Sequence, residues 1–563
     1  MEAELALTGK YGDLITLQMG ESPLMKIRPR LADLGGLLGG GAIALFVAIL
    51  TVYRARHLDI TLDEAFTYNS YLSGRFSQVF DYRFNNNHVL YTLLSFPLIR
   101  AFGTSEFVLR LPALMAALAY LALAMLICRR LFRSVWIAVG MGLLCLNPII
   151  GDYLTAARGY GLALAWFMGA LFVALRCLDE LAQQTPFSSA NRRRAICVSI
   201  CMSLAVCANF TFVIPCFAMA LVLAFLLTGG RLARIDARPL LVRLIAPGAI
   251  LGVAMLWPFL LQVRPYQFIA GATTIWGSIE EILSGSLFYR ATATTAYFQP
   301  ALSPLLSHLL AAAGVLVSIV LCFLFAVVFV VGRQLVAKSA PDLERIRFVL
   351  IGATLCCSIA LSMVLHLALR MLLPIERTGI YLIPLTTLSI MQWGLMSAGV
   401  IATSIRRALL ALAVIVVMGV YALQVQTQFM YYARYNAGMR TAFELIDRDR
   451  SLALSSGAEQ PVRVGGSWLY QASIDFYRSM FKAKWLAEFD GGEPAHRPAQ
   501  GIFPADEPQA RPAGHDYFLF RPSDYPELDY RELNILWTDP VSGTSLARVK
   551  KPATQSVDGT RIN

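Results

Sequence analysis

The chain has 563 residues, 57% of them hydrophobic and only 15% charged, with a formal net charge of +12. A soluble protein carries about 25% charged residues, so a string of soluble domains is excluded. The basic excess lies in short loops between apolar runs, which fits membrane topology and lipid headgroups and argues against nucleic acid.

The mean hydropathy is +0.59, and apolar runs recur from residue 35 to residue 425, many near the roughly 20 residues that cross a bilayer. An all-α polytopic membrane protein follows. Residues 1–34 carry Glu2, Glu4, Asp13 and Glu21 and lack an apolar h-region. They are expected to remain as a short cytoplasmic tail rather than a cleaved signal. About eleven spans are predicted, near 35–53, 108–128, 135–151, 160–177, 195–210, 212–228, 244–262, 304–332, 348–368, 379–399 and 408–425. The short apolar piece 88–102, with polar sequence on both sides, reads as an interfacial or re-entrant helix.

Orientation follows from the basic residues. Lys26, Arg28 and Arg30, Arg129 and Arg130, Arg192 to Arg194, Arg231 and Arg234, Arg345 and Arg347, and Arg406 with Arg407 occupy one set of loops. The positive-inside rule puts that set in the cytoplasm. The outer loops 54–107 and 263–303, and everything after residue 425, then face outward from a bacterial inner membrane. All ten cysteines fall between Cys128 and Cys357, in or beside apolar spans, with no disulfide or zinc spacing. They read as small buried hydrophobes.

From residue 426 the composition changes, and residues 426–563 are expected to form a small extracytoplasmic α/β domain. An amphipathic helix is predicted at 437–447, a strand at Val462-Arg-Val-Gly-Gly, a helix at 468–480, and a loop at 491–514. Asp516-Tyr-Phe-Leu-Phe and Leu533-Asn-Ile-Leu-Trp are expected to be buried strands.

The chemistry concentrates where the first apolar run ends. Asp63 and Glu64 are adjacent there, Asp59 lies one turn earlier, and Asn85 to His88 return to the same outer side. Two acids past a helix end are commonly just solvated, but polar groups gathered at a membrane boundary are costly unless paired or used. A carboxylate at a partly dry interface suits removal of a proton from a hydroxyl, which makes Asp63 and Glu64 the candidate catalytic pair. Asn87 and His88 are candidates to orient a polar substrate, and Asp81 is a second acid. Arg158 with Tyr160, and Arg370 with Arg377, lie at outer span ends. A single arginine there would be read as snorkelling; several at one level suit an anionic group, and a guanidinium fork matches phosphate. No cofactor is firmly implied. A divalent metal, if one is used, would fall to Asp63, Glu64 or His88. Two patterns are set aside: Asp447-Arg-Asp449 at the end of a surface helix, and the Asn209-Phe-Thr211 sequon in apolar sequence.

The order of these pieces resembles the GT-C class of membrane glycosyltransferases, most of all its protein O-mannosyltransferase and lipid A aminoarabinose transferase branch. That branch ends its first span in an Asp-Glu pair followed by a small residue and an aromatic; here these are Asp63, Glu64, Ala65 and Phe66. Asn87-His-Val-Leu-Tyr91 is similar to its Asn-His-Pro-Pro-Leu-Tyr, with Val89 and Leu90 in place of the prolines. Phe102-Gly-Thr-Ser-Glu-Phe-Val-Leu-Arg-Leu-Pro112 is a closer match, and Arg158-x-Tyr160 and Pro374-x-x-Arg377 are similar to later landmarks. The resemblance implies a sugar donor on a polyprenyl phosphate, an extracytoplasmic acceptor (lipid, glycan or protein), inversion at the anomeric carbon, and the Asp of the pair as the catalytic or metal-associated residue. Two rivals stand beside it. A transporter or lipid flippase would explain many spans, and a non-catalytic scaffold would leave the acids idle.

Overall fold

The structure, a computed structural model, describes residues 23–81, 86–182, 189–228, 238–262, 270–292, 304–337, 342–397, 400–453, 461–491, 511–522, 525 and 528–550. Asn85 and most of the expected 491–514 loop lie outside the described residues.

Helices dominate. In chain order they are α1 (Pro23–His57), α2 (Leu62–Thr67), α3 (Val89–Phe102), α4 (Glu106–Leu131), α5 (Val135–Cys145), α6 (Pro148–Thr155), α7 (Gly159–Ala182), α8 (Ser189–Ala208), α9 (Val213–Thr228) and α10 (Arg238–Gln262). There follow α11 (Ile275–Leu287), α12 (Tyr289–Thr292), α13 (Pro304–Ala337), α14 (Leu343–Leu369), α15 (Leu382–Leu395), α16 (Val400–Gln424), α17 (Met439–Ala453) and α18 (Trp468–Met480). Among the described residues, eight helices are long and apolar enough to cross a membrane, or nine if α5 and α6 are one span bent by 65°. That bend falls at Asn147-Pro148, where Asn147 caps α6 by accepting from the Ile150 amide at 3.3 Å. The expected tenth span, α15, has only 14 residues, and α8, the expected fifth, carries Arg192, Arg193 and Arg194 in its first turns. The short apolar piece after the first outer loop is α3, a 14-residue helix.

Exposed Leu367, Ile401 and Ile415 show the apolar surface these helices present outward, as expected for a protein whose solvent is hydrocarbon. Inside, α7 packs on α4 and α8, α8 on α10, α9 on α14, and α1 on α4 and α5. At the basic end Asp179 of α7 is buried, accepting from Arg347 at 2.7 Å on each oxygen and pairing also with Arg130.

At the other end lies a four-stranded sheet in the order β1-β2-β4-β3, built from β1 (Val464–Gly466), β2 (Tyr517–Phe520), β3 (Leu533–Thr538) and β4 (Ser545–Val549). β1 runs parallel to β2, and the other pairs are antiparallel. β2 is buried throughout, as expected, but β3 is not. It is an edge strand, with Leu533 buried and Asn534 and Ile535 exposed; β4, not expected from sequence, lies between β2 and β3. Of α17's apolar residues, Ala442, Phe443 and Ile446 are buried.

Candidate active site

The site begins with a six-residue helix. Thr61 caps α2, its hydroxyl accepting from the Glu64 amide at 3.3 Å while Glu64 Oε2 accepts from the Thr61 amide at 3.0 Å. This reciprocal box leaves Asp63 on the first turn, pointing away from the bonds that hold Glu64.

Glu64 is fully buried. Arg110 of α4 donates to both its oxygens, at 2.8 and 2.7 Å, and the Ala157 amide donates to Oε1 at 2.6 Å. The same guanidinium donates to the carbonyls of Ala55, Leu58 and Asp59, closing the C-terminal end of α1. Burial opposes ionisation here, but Arg110 and these hydrogen bonds outweigh it and hold the Glu64 carboxyl below its usual range. The sequence pairs Glu64 with Asp63 as catalytic; the structure spends both its oxygens on joining three segments.

Asp63 is placed differently. Its side chain is 24% exposed, and its Oδ2 takes Arg377 Nη1 at 2.9 Å and Arg158 Nη1 at 3.2 Å. Arg158 follows directly on Ala157, so the bond that Ala157 makes to Glu64 also sets Arg158 beside Asp63. Tyr160, buried, lies with its ring centre 5.8 Å from the Arg158 guanidinium, and against His88 and Tyr153 at 5.0 and 4.8 Å between ring centres. The loop 86–88 is pinned to this wall. Asn86 donates to the Asp63 carbonyl at 3.1 Å, and Asn87 donates to the carbonyls of Val79 and Asp81 at 2.9 and 2.7 Å. Gly159 permits the closeness: a Cβ there would lie 2.8 Å from that of His88 and collide with the Ala208 carbonyl. Burial, reinforced by Arg158 and Arg377, pushes His88 well below the ordinary imidazole range, so it is neutral at pH 7.

The structure therefore brings Asp63, Arg158, Arg377, Tyr160 and His88 together, with Asn87 shaping the loop behind them. Arg370 does not join. It ends α14 in a left-handed cap at φ 54° and is exposed, making none of the contacts above. Asp81 enters through its backbone carbonyl. Among the described residues, no group of three or more His, Cys, Asp or Glu side chains is arranged to hold a metal ion. The set-aside Asp447-Arg-Asp449 has Asp449 paired with Arg548 and accepting from Tyr517 at 2.6 Å. Asn209 of the sequon is buried and accepts from the Thr211 amide at 3.0 Å, in the break between α8 and α9.

Three acids matter that the sequence did not single out as site residues. Glu376, beside Arg377, is buried, accepts a long contact from Tyr153 at 3.4 Å, and leaves Oε2 without a hydrogen-bond partner among the described residues. Burial drives its carboxyl up to about 8, Arg377 opposing and Glu281 and Asp152 adding to the rise. Asp152 of α6 is buried, paired with Arg54, and accepts from Tyr289 at 2.9 Å and from the Tyr431 amide at 2.7 Å. Asp59 accepts from the Gly438 amide at 2.7 Å, at the start of α17.

That last bond is one of several tying the C-terminal region to α2. The Leu62 amide donates to Asn436 at 2.8 Å, the Ile60 amide to the Tyr477 hydroxyl at 3.1 Å, and Asn69 to the Ala472 carbonyl at 2.9 Å. The Leu62 bond occupies one of the amides at the head of α2 that its own turn leaves unmet.

Beside the 370–379 turn opens an apolar cavity of about 380 Å³, walled by α11 and α13 to α16, with Ser278, Ile282, Leu321, Pro374, Thr386 and Val414 among its lining. Pro374 thus borders the cavity three residues before Arg377.

No family model matches the chain, and no curated protein matches it. Among solved structures it is similar to ArnT from Cupriavidus metallidurans bound to undecaprenyl phosphate, at 14% identity and a TM-score of 0.36, over 91% of this chain and 98% of that one. The apo state of the same protein gives 14% and 0.38 over the same shares. The archaeal oligosaccharyltransferase AglB from Archaeoglobus fulgidus, in complex with an inhibitory peptide and a dolichol-phosphate, gives 10% and 0.41 over 92% and 75%.

Proposed function

We propose that this chain is an inverting glycosyltransferase of the bacterial inner membrane, moving a sugar from a polyprenyl-phosphate donor to an extracytoplasmic acceptor. The observation that carries the reading is the convergence of Arg158 and Arg377 on Asp63, with an apolar cavity lined by Leu373 and Pro374 of the turn that leads to Arg377. A lipid-phosphate sugar has the matching shape: hydrocarbon for the cavity, an anion for the arginines, and a sugar carbon next to a carboxylate.

In this reading the tail lies among α11 and α13 to α16, and the phosphate rests at Arg158 and Arg377. The acceptor hydroxyl attacks the anomeric carbon from the face opposite the phosphate, and its proton passes to Asp63. The new carbon–oxygen bond forms as the bond from carbon to phosphate oxygen breaks, and its electron pair leaves on the phosphate. Guanidinium groups fixed at that oxygen stabilise the charge as it develops. Tyr160 and neutral His88 wall the sugar's side of the site, and Glu64 with Arg110 positions Asp63 and Arg158. No step above is routed through a metal ion.

Purified protein supplied with a polyprenyl-phosphate sugar and acceptor should release polyprenyl phosphate, and Asp63→Asn should abolish the release while the protein stays folded. A flippase would move the lipid without cleaving it. Undiminished release by the Asn variant refutes the assignment of the base.

A further inference from the structure

Asp63 sits where an anion belongs. Its Oδ2 draws two guanidinium groups from segments more than two hundred residues apart in the chain, at 2.9 and 3.2 Å, and the side chains of those arginines are 17% and 4% exposed. Both cations are engaged by this one carboxylate oxygen. The same two cations are the groups a lipid phosphate needs. One pair of arginines cannot serve both anions fully.

The geometry points to an exchange: the donor's phosphate takes Arg158 and Arg377 from the Asp63 carboxylate, which leaves Asp63 facing the acceptor once the donor is seated. Asp63 is thus a stand-in for the phosphate in the empty enzyme as well as the proton acceptor in the loaded one. The inference rests on the glycosyltransferase reading above.

Charge accounting supports it. Two arginines and one carboxylate leave the empty cluster with a single net positive charge, which a phosphodiester donor, singly negative, cancels. After transfer the product is a phosphate monoester carrying about −1.5 to −2, while Asp63 has become neutral by taking the acceptor's proton. The cluster stays near neutrality throughout the reaction. Loss of that proton to water restores the Asp63 carboxylate, which then competes for the arginines and helps to expel the product. The neighbours do not interfere. His88 is neutral beside the arginines, and Glu376, pushed up to about 8, is mostly protonated at pH 7 and offers no rival carboxylate to Arg377.

The test is affinity. Full-length protein in detergent is titrated with polyprenyl phosphate, and with uncharged polyprenol as a measure of the tail alone. Asp63→Asn is expected to bind the phosphate about tenfold or more tightly than the native chain, with polyprenol affinity unchanged. Equal or weaker phosphate binding, or an equal gain for polyprenol, overturns the exchange. Because the Asn variant takes the carboxylate charge away from both arginines, it is also prepared in the continuous presence of polyprenyl phosphate. Recovery of folded protein that depends on the lipid supports the exchange, and failure to recover it even with lipid overturns it. The two readings fail separately: transfer by the Asn variant removes the base, whereas inactivity without tighter binding removes only the exchange.

Discussion

Arg110 grips Glu64 with two hydrogen bonds, at 2.8 and 2.7 Å, and neither side chain is exposed. This pair is the hinge pin of the site. Through it the end of α1, the helix carrying Asp63 and the loop carrying Arg158 are fixed to one point of α4. Removing one partner strands a buried charge, which costs about 3–5 kcal/mol. Glu64→Ala and Arg110→Ala should each lower the melting temperature of the solubilised protein markedly and reduce the yield of folded protein. A melting temperature within a degree or so of the native value would show that the pair is incidental.

Arg158 and Arg377 should behave otherwise. In the proposed reaction each leaves Asp63 for the donor's phosphate and stabilises the charge that grows there as the phosphate departs, so truncation to Ala should raise KM and cost about 10²–10³ in kcat with the fold intact. Lysine in either place keeps the charge but loses the fork, and should recover part of the rate. Steady-state release of polyprenyl phosphate, with kcat and KM resolved, decides this. A purely raised KM would mean the arginines bind donor without assisting its departure.

Glu376 gives a stability signature. Its carboxyl is pushed up to about 8 from an ordinary value near 4.5. The folded state therefore holds a proton that the unfolded chain has released across that window, and stability falls as pH rises through it. The contribution is fully present below the lower value and lost above the upper one. Glu376→Gln cannot ionise, so its melting temperature should fall less than that of the native chain between pH 6 and pH 9. Parallel curves would contradict the assignment.

Much of this was legible in the sequence, and the gaps have physical causes. Thr61-x-x-Glu64 is a capping box in plain view, and Arg110 stands in the Arg-Leu-Pro stretch that the family resemblance quotes. What neighbours in sequence cannot reveal is which of two adjacent acids turns inward: the first turn of α2 separates Asp63 and Glu64 around the helix, one to the arginines and one to the core. Arg370 and Arg377 looked equivalent, seven residues apart at one membrane level. The left-handed cap at Arg370 ends α14 and leaves it outside the cluster. Asp152 sat unnoticed because its partners, Arg54, Tyr289 and Tyr431, come from three distant segments. β4 was missed because Ser545-Leu-Ala-Arg-Val is short and mixed, and β3 was expected to be buried because an edge strand can be as apolar as a central one.

The C-terminal region should matter to the segment that carries Asp63. Asn436→Ala leaves the Leu62 amide without its partner, and Tyr477→Phe does the same to the Ile60 amide, each costing about 1–3 kcal/mol locally. Hydrogen exchange of the amides from Ile60 to Thr67 should accelerate in both variants. Unchanged protection would mean that α2 stands without the C-terminal region.

The central claim is that Asp63 accepts the acceptor's proton as a lipid-linked sugar is displaced. Its most direct measurement is release of polyprenyl phosphate by purified native and Asp63→Asn proteins given the same donor and acceptor. The account predicts release by the native chain and none above background from a folded Asn variant; equal release from both would contradict it.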